Sequence, residues 1–310
     1  NNIVGSNIMK KKDMKKIIVL VILLLSYAYT TFINTENKNQ EGPIKERKTE
    51  DVIFADENTL NVYFIDVGQA DSILLENKGH YMLIDAGNNE DGPKLVNYFN
   101  EQDIKEFDYV VGTHAHEDHI GGMDDIIKNF KIDNFYMPDA ITTTKTFEDV
   151  LDALEETNVI FQTPKVNQTF NLQDTTITTL SVTADEKNLN DTSIVLKVKH
   201  GTNTFLFMGD ASTKIEKNLL NKDIKSDVLK VGHHGSRYST SLEFLKKVSP
   251  EYAVISVGEN NTYKHPHEEI LKRLEEQNIQ IYRTDKQGTI LAKSNGSIIT
   301  FSTIKTDTNG

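Results

Sequence analysis

The sequence predicts an α/β fold in which two mixed sheets pack face to face with helices outside. Apolar segments with strand character alternate with amphipathic helical segments along the chain, and the pattern occurs in two similar halves. The chain has 310 residues, with 37% hydrophobic and 26% charged side chains, which is typical of a soluble globular protein. Its length is ample for the core that such a sandwich needs.

The first residues predict an export signal or a membrane anchor. A lysine-rich stretch at residues 9–16 precedes an unbroken apolar run at residues 17–25, which is short for a bilayer span, and Ser26 and Ala28 form a small-x-small cleavage site. We therefore assign residues 1–31 to a signal peptide or anchor, 32–58 to a polar flexible linker and 59–305 to the folded domain. These assignments predict an extracellular or surface-held protein that contacts a membrane only through its N-terminal segment.

Strands are predicted where β-branched and aromatic residues form short runs between turn residues. They cover residues 60–66, 72–76, 81–84, 107–111, 134–137, 193–198, 204–208, 227–231, 252–257, 279–283, 289–293 and 297–301, with short antiparallel strands within 163–183. Helices are predicted where apolar residues recur at helical spacing, at residues 93–100, 123–130, 147–156, 214–220, 242–248 and 267–277.

One short stretch concentrates metal-binding side chains directly after the strand that ends at Val111. Its ligand types are His114, His116, Asp118 and His119. Imidazole nitrogen suits zinc, manganese and iron, and a carboxylate adds a harder ligand. A single histidine in a turn is usually a solvated residue or a helix cap, but this density predicts a site for one or two divalent ions.

Composition limits how such ions can be held and what they can act on. The chain has no cysteine, so the ligands must be His, Asp, Glu or Asn. The formal net charge is -12, which repels polyanions at long range. A nucleic-acid substrate would therefore be held by local positive charge and by metal rather than by a generally basic surface.

Seven of the nine histidines lie in three places, each beside a predicted strand end, so all three can meet on one rim. The other two places are His233 with His234, and His265 with His267. Asp210 also follows a buried strand, after Gly209. By itself an Asp there caps the next helix, but beside a metal cluster it is a candidate bridging ligand.

These motifs together resemble the metallo-β-lactamase superfamily, and within it the metallohydrolase domain of the competence DNA-internalisation proteins. The resemblance covers about residues 60–301 and rests on Asp66-Val67-Gly68-Gln69-Ala70-Asp71-Ser72, Leu83-Ile84-Asp85-Ala86-Gly87, His114-x-His116-x-Asp118-His119, Gly209-Asp210 and His233-His234-Gly235-Ser236. It implies a four-layer αβ/βα sandwich with two divalent ions at one edge, zinc in the first place and manganese as the alternative.

The resemblance also implies a ligand set. One ion is bound by His114 and His116, the other by Asp118 and His119, Asp210 bridges them, and the last ligand comes from His233 or His234. His233 is favoured over His234 because it comes immediately after the strand.

One departure concerns the histidine that many members have between the first cluster and the bridging Asp. His200 is the only histidine in that interval, and we expect it to be solvated in a hairpin turn. Residues 190–193 stand in its place, a pattern similar to the competence branch.

The resulting hypothesis is a metal-dependent hydrolase of phosphoester bonds, with a small molecule or nucleic acid as substrate and no protein partner. Asp118 would orient the attacking water, His234 or His265 would protonate the leaving oxygen, and Ser236 and Lys264 would contact the substrate. The phosphoester preference rests on the competence resemblance and on basic residues near the histidines, which include Lys230 and Arg237. Two alternatives stay open: a carbonyl hydrolase acting on a lactone, thioester or β-lactam, and a non-catalytic metal-binding module.

Overall fold

The computed structural model describes residues 58–184 and 187–304. The predicted signal or anchor, and all but the last residue of the predicted linker, lie outside the described residues, so both assignments stay predictions. Within the described ranges, no helix has the length and apolar character needed to cross a membrane.

The described residues form fifteen strands, eight α-helices and three short 3-10 helices (Asn89–Asp91, Leu189–Thr192 and Gly232–Gly235). The strands are β1 (Leu60–Phe64), β2 (Ser72–Asn77), β3 (His80–Ala86), β4 (Glu106–Val111), β5 (Lys131–Tyr136), β6 (Phe161–Gln162), β7 (Thr169–Leu172), β8 (Thr175–Ser181), β9 (Val195–His200), β10 (Asn203–Phe207), β11 (Val228–Lys230), β12 (Tyr252–Ile255), β13 (Gln280–Arg283), β14 (Thr289–Ser294) and β15 (Ile299–Ile304). The helices are α1 (Gly92–Glu101), α2 (Glu117–Ile120), α3 (Met123–Asn129), α4 (Lys145–Thr157), α5 (Thr213–Leu219), α6 (Leu242–Val248), α7 (Glu268–Glu276) and α8 (Thr284–Gln287).

The strands form two mixed sheets of matching design. Sheet I has the order β15-β14-β1-β2-β3-β4-β5-β6, and sheet II has the order β13-β12-β11-β10-β9-β8-β7. In sheet I the pairs from β15 to β3 are antiparallel and those from β3 to β6 parallel. Sheet II is antiparallel from β7 to β10 and parallel from β10 to β13. The two halves recognised in the sequence correspond to these two sheets, except that the C-terminal strands β14 and β15 return to sheet I beside β1.

Strand alternation divides the apolar side chains among three buried clusters, and β10 illustrates the division. Phe205 and Phe207 pack in the cluster between the sheets, whereas Leu206 and Met208 pack under the helices of sheet II. Successive side chains of a strand point to opposite faces, so a strand covered on both sides needs apolar residues on both. A third cluster joins the other face of sheet I to its helices, which gives the predicted four layers.

The carboxyl ends of the parallel strands bring the polar motifs to one rim. The loops after β3 and β4 belong to sheet I, and those after β10, β11 and β12 belong to sheet II. Parallel strands share their direction, so these five loops leave the sheets on the same edge. Every motif that the resemblance rests on lies in or beside a loop at this rim.

The structure corrects the expectation for His200. The residue ends β9 instead of lying in a solvated turn, and it is only 4% exposed. Its Nδ1 atom forms a 2.9 Å hydrogen bond with Oγ of Ser294 from sheet I. The cross-sheet partner explains the burial, and sequence spacing gives no sign of it.

Candidate metal centre

The loop after β4 brings four side chains together at the rim of sheet I. His114 is buried, His116 is the N-cap residue of α2, and Asp118 and His119 lie in that helix. Nε2 of His114 is 3.0 Å from Nδ1 of His116, and the ring centroids of His114 and His119 are 4.2 Å apart. A local sequence motif has thus become a compact cluster of donors.

Asp85, the penultimate residue of β3, holds the loop after β4 in place. Its Oδ1 accepts from the Thr113 backbone N–H at 2.7 Å, and its Oδ2 accepts from the Thr113 hydroxyl at 2.8 Å. The same Oδ2 lies 2.8 Å from Nδ1 of His119. A histidine that donates from one ring nitrogen to a carboxylate presents the other to a metal in a fixed orientation. Asp85 therefore turns Nε2 of His119 towards the centre of the cluster.

Asp210 is the group that joins the two sheets' contributions. Its Oδ1 lies 3.2 Å from Nε2 of His119, and its Oδ2 lies 3.9 Å from Nε2 of His114. The Ser193 hydroxyl accepts from its backbone N–H at 3.0 Å. The simpler role of helix cap belongs to another residue, because the side chain of Ser212 caps α5. The carboxylate of Asp210 is free to face histidines on both of its oxygens.

The turn after β11 distinguishes His233 from His234. Both adopt left-handed backbone angles, with φ of 51°, which is unusual for residues other than glycine. Nδ1 of His234 donates to the Ser256 carbonyl at 2.9 Å, and its Nε2 lies 3.2 Å from Oδ2 of Asp118 and 3.7 Å from Oδ1 of Asp210. His233 is partly exposed, with Nε2 3.6 Å from Oδ2 of Asp210. The geometry thus favours His234, rather than His233, as the last ligand.

The residues present fit a divalent cation. Nε2 of His119 and Oδ1 of Asp210 are buried without a hydrogen-bond partner among the described residues, although buried polar atoms are almost always paired. One donor atom from each of Asp118, His119, Asp210 and His234 lies within 4.8 Å of the others. Two carboxylates and two imidazoles at this spacing are a suitable set for zinc or a similar ion.

The electrostatics of the cluster favour positive charge at its centre. Burial disfavours protonated His119, but Asp210 and Asp85 outweigh it and hold the pKa of His119 well above its usual range. Burial opposes protonation of His234 as well, yet its neighbouring carboxylates, Asp210 foremost, raise its pKa to about 10. Burial and the charge on His119 lower the pKa of His114, which favours the neutral ring that a metal ligand must have.

His265 stands beside the cluster rather than in it. The ring of His265 stacks on the exposed Tyr263, with ring centroids 5.6 Å apart, and on His234, with centroids 6.4 Å apart. Burial and the neighbouring histidines lower its pKa to about 4. The Asn261 side chain accepts from the His265 N–H and donates to its carbonyl, which fixes the loop. Lys264, the preceding residue, is exposed at the same side of the rim.

The predicted substrate contacts, Ser236 and Lys264, and the nearby basic residues Lys230 and Arg237 separate into exposed and buried side chains. Arg237 and Lys264 are exposed, as a contact requires. Ser236 is buried in the turn, where its N–H donates to the His233 carbonyl at 2.8 Å. Lys230 is 1% exposed and forms an ion pair with Asp71, so it is not available to a substrate. Of the basic residues that the sequence places near the histidines, only Arg237 and Lys264 are therefore open to a substrate.

The position of the middle histidine is taken by a short polar turn. Ser193 Oγ lies 3.5 Å from Nδ1 of His114 and also contacts Asp210, while Oδ1 of Asn190 is buried without a partner among the described residues. His200 lies beside the start of β10, at the opposite end of that strand from Asp210. His200 therefore cannot serve the first ion, and besides His114 and His116 the described residues place only the partly exposed His233, 3.6 Å from Oδ2 of Asp210, on that side.

A buried carboxylate in α5 secures the loop that follows His234. The Glu216 side chain accepts hydrogen bonds from the Thr240 and Ser241 N–H groups, and Arg273 of α7 donates to the Thr240 carbonyl. The exposed Arg237 lies in the same loop. Glu216 thus anchors the segment that presents Arg237 at the mouth of the site.

We expect Glu216→Gln to lower the free energy of unfolding by about 1–3 kcal/mol, because the amide NH₂ leaves one buried N–H unpaired. Urea unfolding of metal-free protein measures the change. The matched control is Glu243→Gln on the exposed face of α6, expected to change stability by less than about 0.5 kcal/mol. Equal stability of the two variants would show that the carboxylate does not hold the loop.

Fold and site together define a metallohydrolase of the two-sheet sandwich type. A model of the metallo-β-lactamase superfamily matches residues 65–259, and the chain belongs to that superfamily. Among solved structures it resembles the metallo-β-lactamase fold protein YhfI from Bacillus subtilis, with a TM-score of 0.56 and 15% identity, over 76% of this chain and 100% of that one. This likeness shows the fold.

The relatives that the chain matches in sequence include competence proteins. The chain is 34% identical over 263 residues to ComE operon protein 3 of Bacillus subtilis (strain 168), which covers 78% of this chain and 34% of that protein. It is 32% identical over 245 residues to competence protein ComA of Neisseria gonorrhoeae, over 76% of this chain and 32% of that protein. The chain thus spans about a third of the length of these relatives. The predicted resemblance to the competence branch is confirmed.

Proposed function

We propose that the chain is a dinuclear metal-dependent hydrolase that cleaves phosphoester bonds. The observation that carries the proposal is Asp210, whose two oxygens face different donors: His119 and His234 at Oδ1, and His114 and His233 at Oδ2. A carboxylate placed in this way can serve two ions at once.

The residues divide into two ligand sets that share Asp210. One ion would be held by His114 and His116, the other by Asp118, His119 and His234. Bound divalent ions would supply a water activated near neutral pH and positive charge against the oxygens of the substrate. The ions are zinc or manganese by the chemistry of the imidazole and carboxylate donors.

The chain's own side chains would orient the reactants. Asp118 is more exposed than Asp210, the other carboxylate of the cluster, so its side chain can accept a hydrogen bond from the attacking water. His265 offers an imidazole N–H to the leaving oxygen from its place beside His234. The exposed Arg237 and Lys264 supply the positive charge that a phosphoryl group needs near the rim.

Support for a phosphoester substrate comes from the competence relatives and from these two cations. A carbonyl substrate uses the same activated water, so the ligand set does not separate the two classes. The predicted export or surface attachment depends on residues 1–31 and belongs to the same proposal.

The test compares metal-depleted protein with protein reloaded with Zn²⁺ or Mn²⁺. We expect hydrolysis of bis(p-nitrophenyl) phosphate or single-stranded DNA by the loaded form, loss of that activity on chelation and recovery on reloading. A phosphomonoester, a lactone and a β-lactam are assayed in parallel. His80→Ala, which removes an imidazole bonded to Asp108 and outside the cluster, is the matched control and should keep full activity.

The outcomes separate the alternatives. Activity restricted to the lactone or lactam would replace the phosphoester assignment by a carbonyl one. Stoichiometric ion binding without any hydrolysis would identify a binding module, and failure to bind either ion would overturn the metal centre itself.

A further inference from the structure

Lys230 is a buried cation at the end of β11, directly beneath the candidate metal centre. Its Nζ atom donates to Oδ2 of Asp71 at 2.8 Å and to the Val231 carbonyl at 3.2 Å. Both side chains of the ion pair are at most 2% exposed. A buried charge is tolerated only when it is paired and hydrogen-bonded, so the two residues depend on each other.

Asp71 connects three segments of the rim. Its backbone N–H donates to the Asp118 carbonyl at 3.0 Å, and its own carbonyl accepts from the Gly87 N–H at 2.9 Å. Its side chain crosses to Lys230 in sheet II. One residue thus ties the ligand loop after β4 and the turn after β3 to the strand that leads into His234.

The second oxygen of Asp71 faces His234 from behind. Oδ1 is buried, has no hydrogen-bond partner among the described residues and lies 3.4 Å from Nδ1 of His234. The same Nδ1 donates to the Ser256 carbonyl at 2.9 Å. The back of the imidazole is thus confined by two oxygens, and Nε2 is directed forward to Asp118 and Asp210.

We propose that Asp71 and Lys230 form a positioning pair that fixes the imidazole of His234 and sets the spacing between the ligands of the two sheets. Lys230 holds Oδ2 of Asp71, which leaves Oδ1 in place behind the ring. Sheet I supplies Asp118 and His119, and sheet II supplies Asp210 and His234. Their donor atoms converge only if the two sheets keep this spacing. The inference rests on the proposed role of His234 as a metal ligand.

The test separates positioning from simple stabilisation by comparing Lys230→Met, Asp71→Asn and the double variant. Each is measured for urea unfolding without metal and for Zn²⁺ affinity by competition with a chromophoric chelator. Lys230→Met alone leaves a buried carboxylate uncompensated and should be the least stable. The double variant removes both charges and should recover stability, yet it should bind Zn²⁺ about 10–100-fold more weakly than the unmodified protein.

The control for general destabilisation is Val228→Ala, which removes buried volume from the same strand without touching the pair. A double variant that binds Zn²⁺ as tightly as the unmodified protein would overturn the positioning role. So would a Val228→Ala variant that is as stable as the double variant and loses as much Zn²⁺ affinity. Should the double variant fail to fold, Asp71→Asn takes its place, because asparagine has nearly the same shape as aspartate. The positioning role then requires that Asp71→Asn lose more Zn²⁺ affinity than Val228→Ala does at equal stability. Zn²⁺ affinity does not depend on hydrolysis, so an unmodified protein that binds Zn²⁺ without cleaving any ester would contradict the proposed function and leave this test intact.

Discussion

Replacing Asp210 by Asn should lower hydrolysis by about 10³-fold, equivalent to roughly 4 kcal/mol of activation free energy. The change keeps the shape of the side chain and removes the negative charge that two ions would share. Histidine nitrogens lie between 3.2 and 3.9 Å from the two oxygens, and an imidazole cannot supply the negative charge that is lost. Steady-state kinetics together with the metal content of the purified variant measure the effect.

The control for Asp210→Asn is Asp174→Asn, which removes a carboxylate from the far end of sheet II. Asp174 is 44% exposed and forms an ion pair with Lys78, so its loss should leave activity and metal content unchanged. An Asp210→Asn variant that binds two ions and retains its rate would show that Asp210 is not a shared ligand. Reduced metal content with a rate per bound ion equal to that of the unmodified protein would limit Asp210 to metal binding alone.

The fold was largely readable from the sequence because its main signal is local. The alternation at the end of β10 sends Phe205 and Phe207 to one face and Leu206 and the following Met208 to the other, and these four residues are enough to show it. The short helix α8 (Thr284–Gln287) went unpredicted, because four residues are too few to establish helical spacing. The first ligand cluster was also visible, since its four donors lie within six residues.

The finer assignments depended on backbone angles and on contacts between distant segments. His233 and His234 are adjacent histidines with the same left-handed φ, so only the contacts that each ring makes in the folded chain distinguish their roles. In the sequence Lys230 counts among the basic residues near the histidines, but its partner Asp71 is 159 residues away and on the other sheet. Asp85 belongs to one of the motifs that carry the family resemblance. Its hydrogen bonds with Thr113 and His119, however, depend on the register of the strands and are not visible in the sequence.

The roles that the sequence does not reveal have a common physical cause. Each concerns a charged or polar group whose role is decided by a partner across the sheet or across the sandwich. Hydrophobic periodicity reports which face is buried, but a buried polar residue is tolerated only with a specific partner, and the sequence does not name that partner. The sequence does show one repeated signal, an acid beside a strand end: Asp71 precedes β2, Asp85 is the penultimate residue of β3, and Asp210 follows β10.

Gly121→Ala should be among the most damaging single changes in the ligand loop. Gly121 directly follows α2, and its N–H donates to the Gly87 carbonyl at 2.9 Å and to the Glu117 carbonyl at 2.7 Å. A methyl group there would lie 2.6 Å from Cα of Asn88 and closer still to other backbone atoms of Asn88 and Asn89. Backbone cannot rotate away as a side chain can, so either this turn or the ligand loop must move.

The expected result of Gly121→Ala is a loss of stability of about 1–3 kcal/mol or more, which lowers the melting temperature by roughly 2–12 °C. His119 is two residues away, so Zn²⁺ affinity should fall as well. The matched control is Gly79→Ala, where φ is +76° but nothing lies within 4 Å of the added methyl. That variant carries only the left-handed strain of about 1–2 kcal/mol and should bind Zn²⁺ normally. Unchanged Zn²⁺ affinity in Gly121→Ala would show that the loop can shift without displacing its ligands, and the tight packing of Gly121 against Asn88 would then serve stability alone.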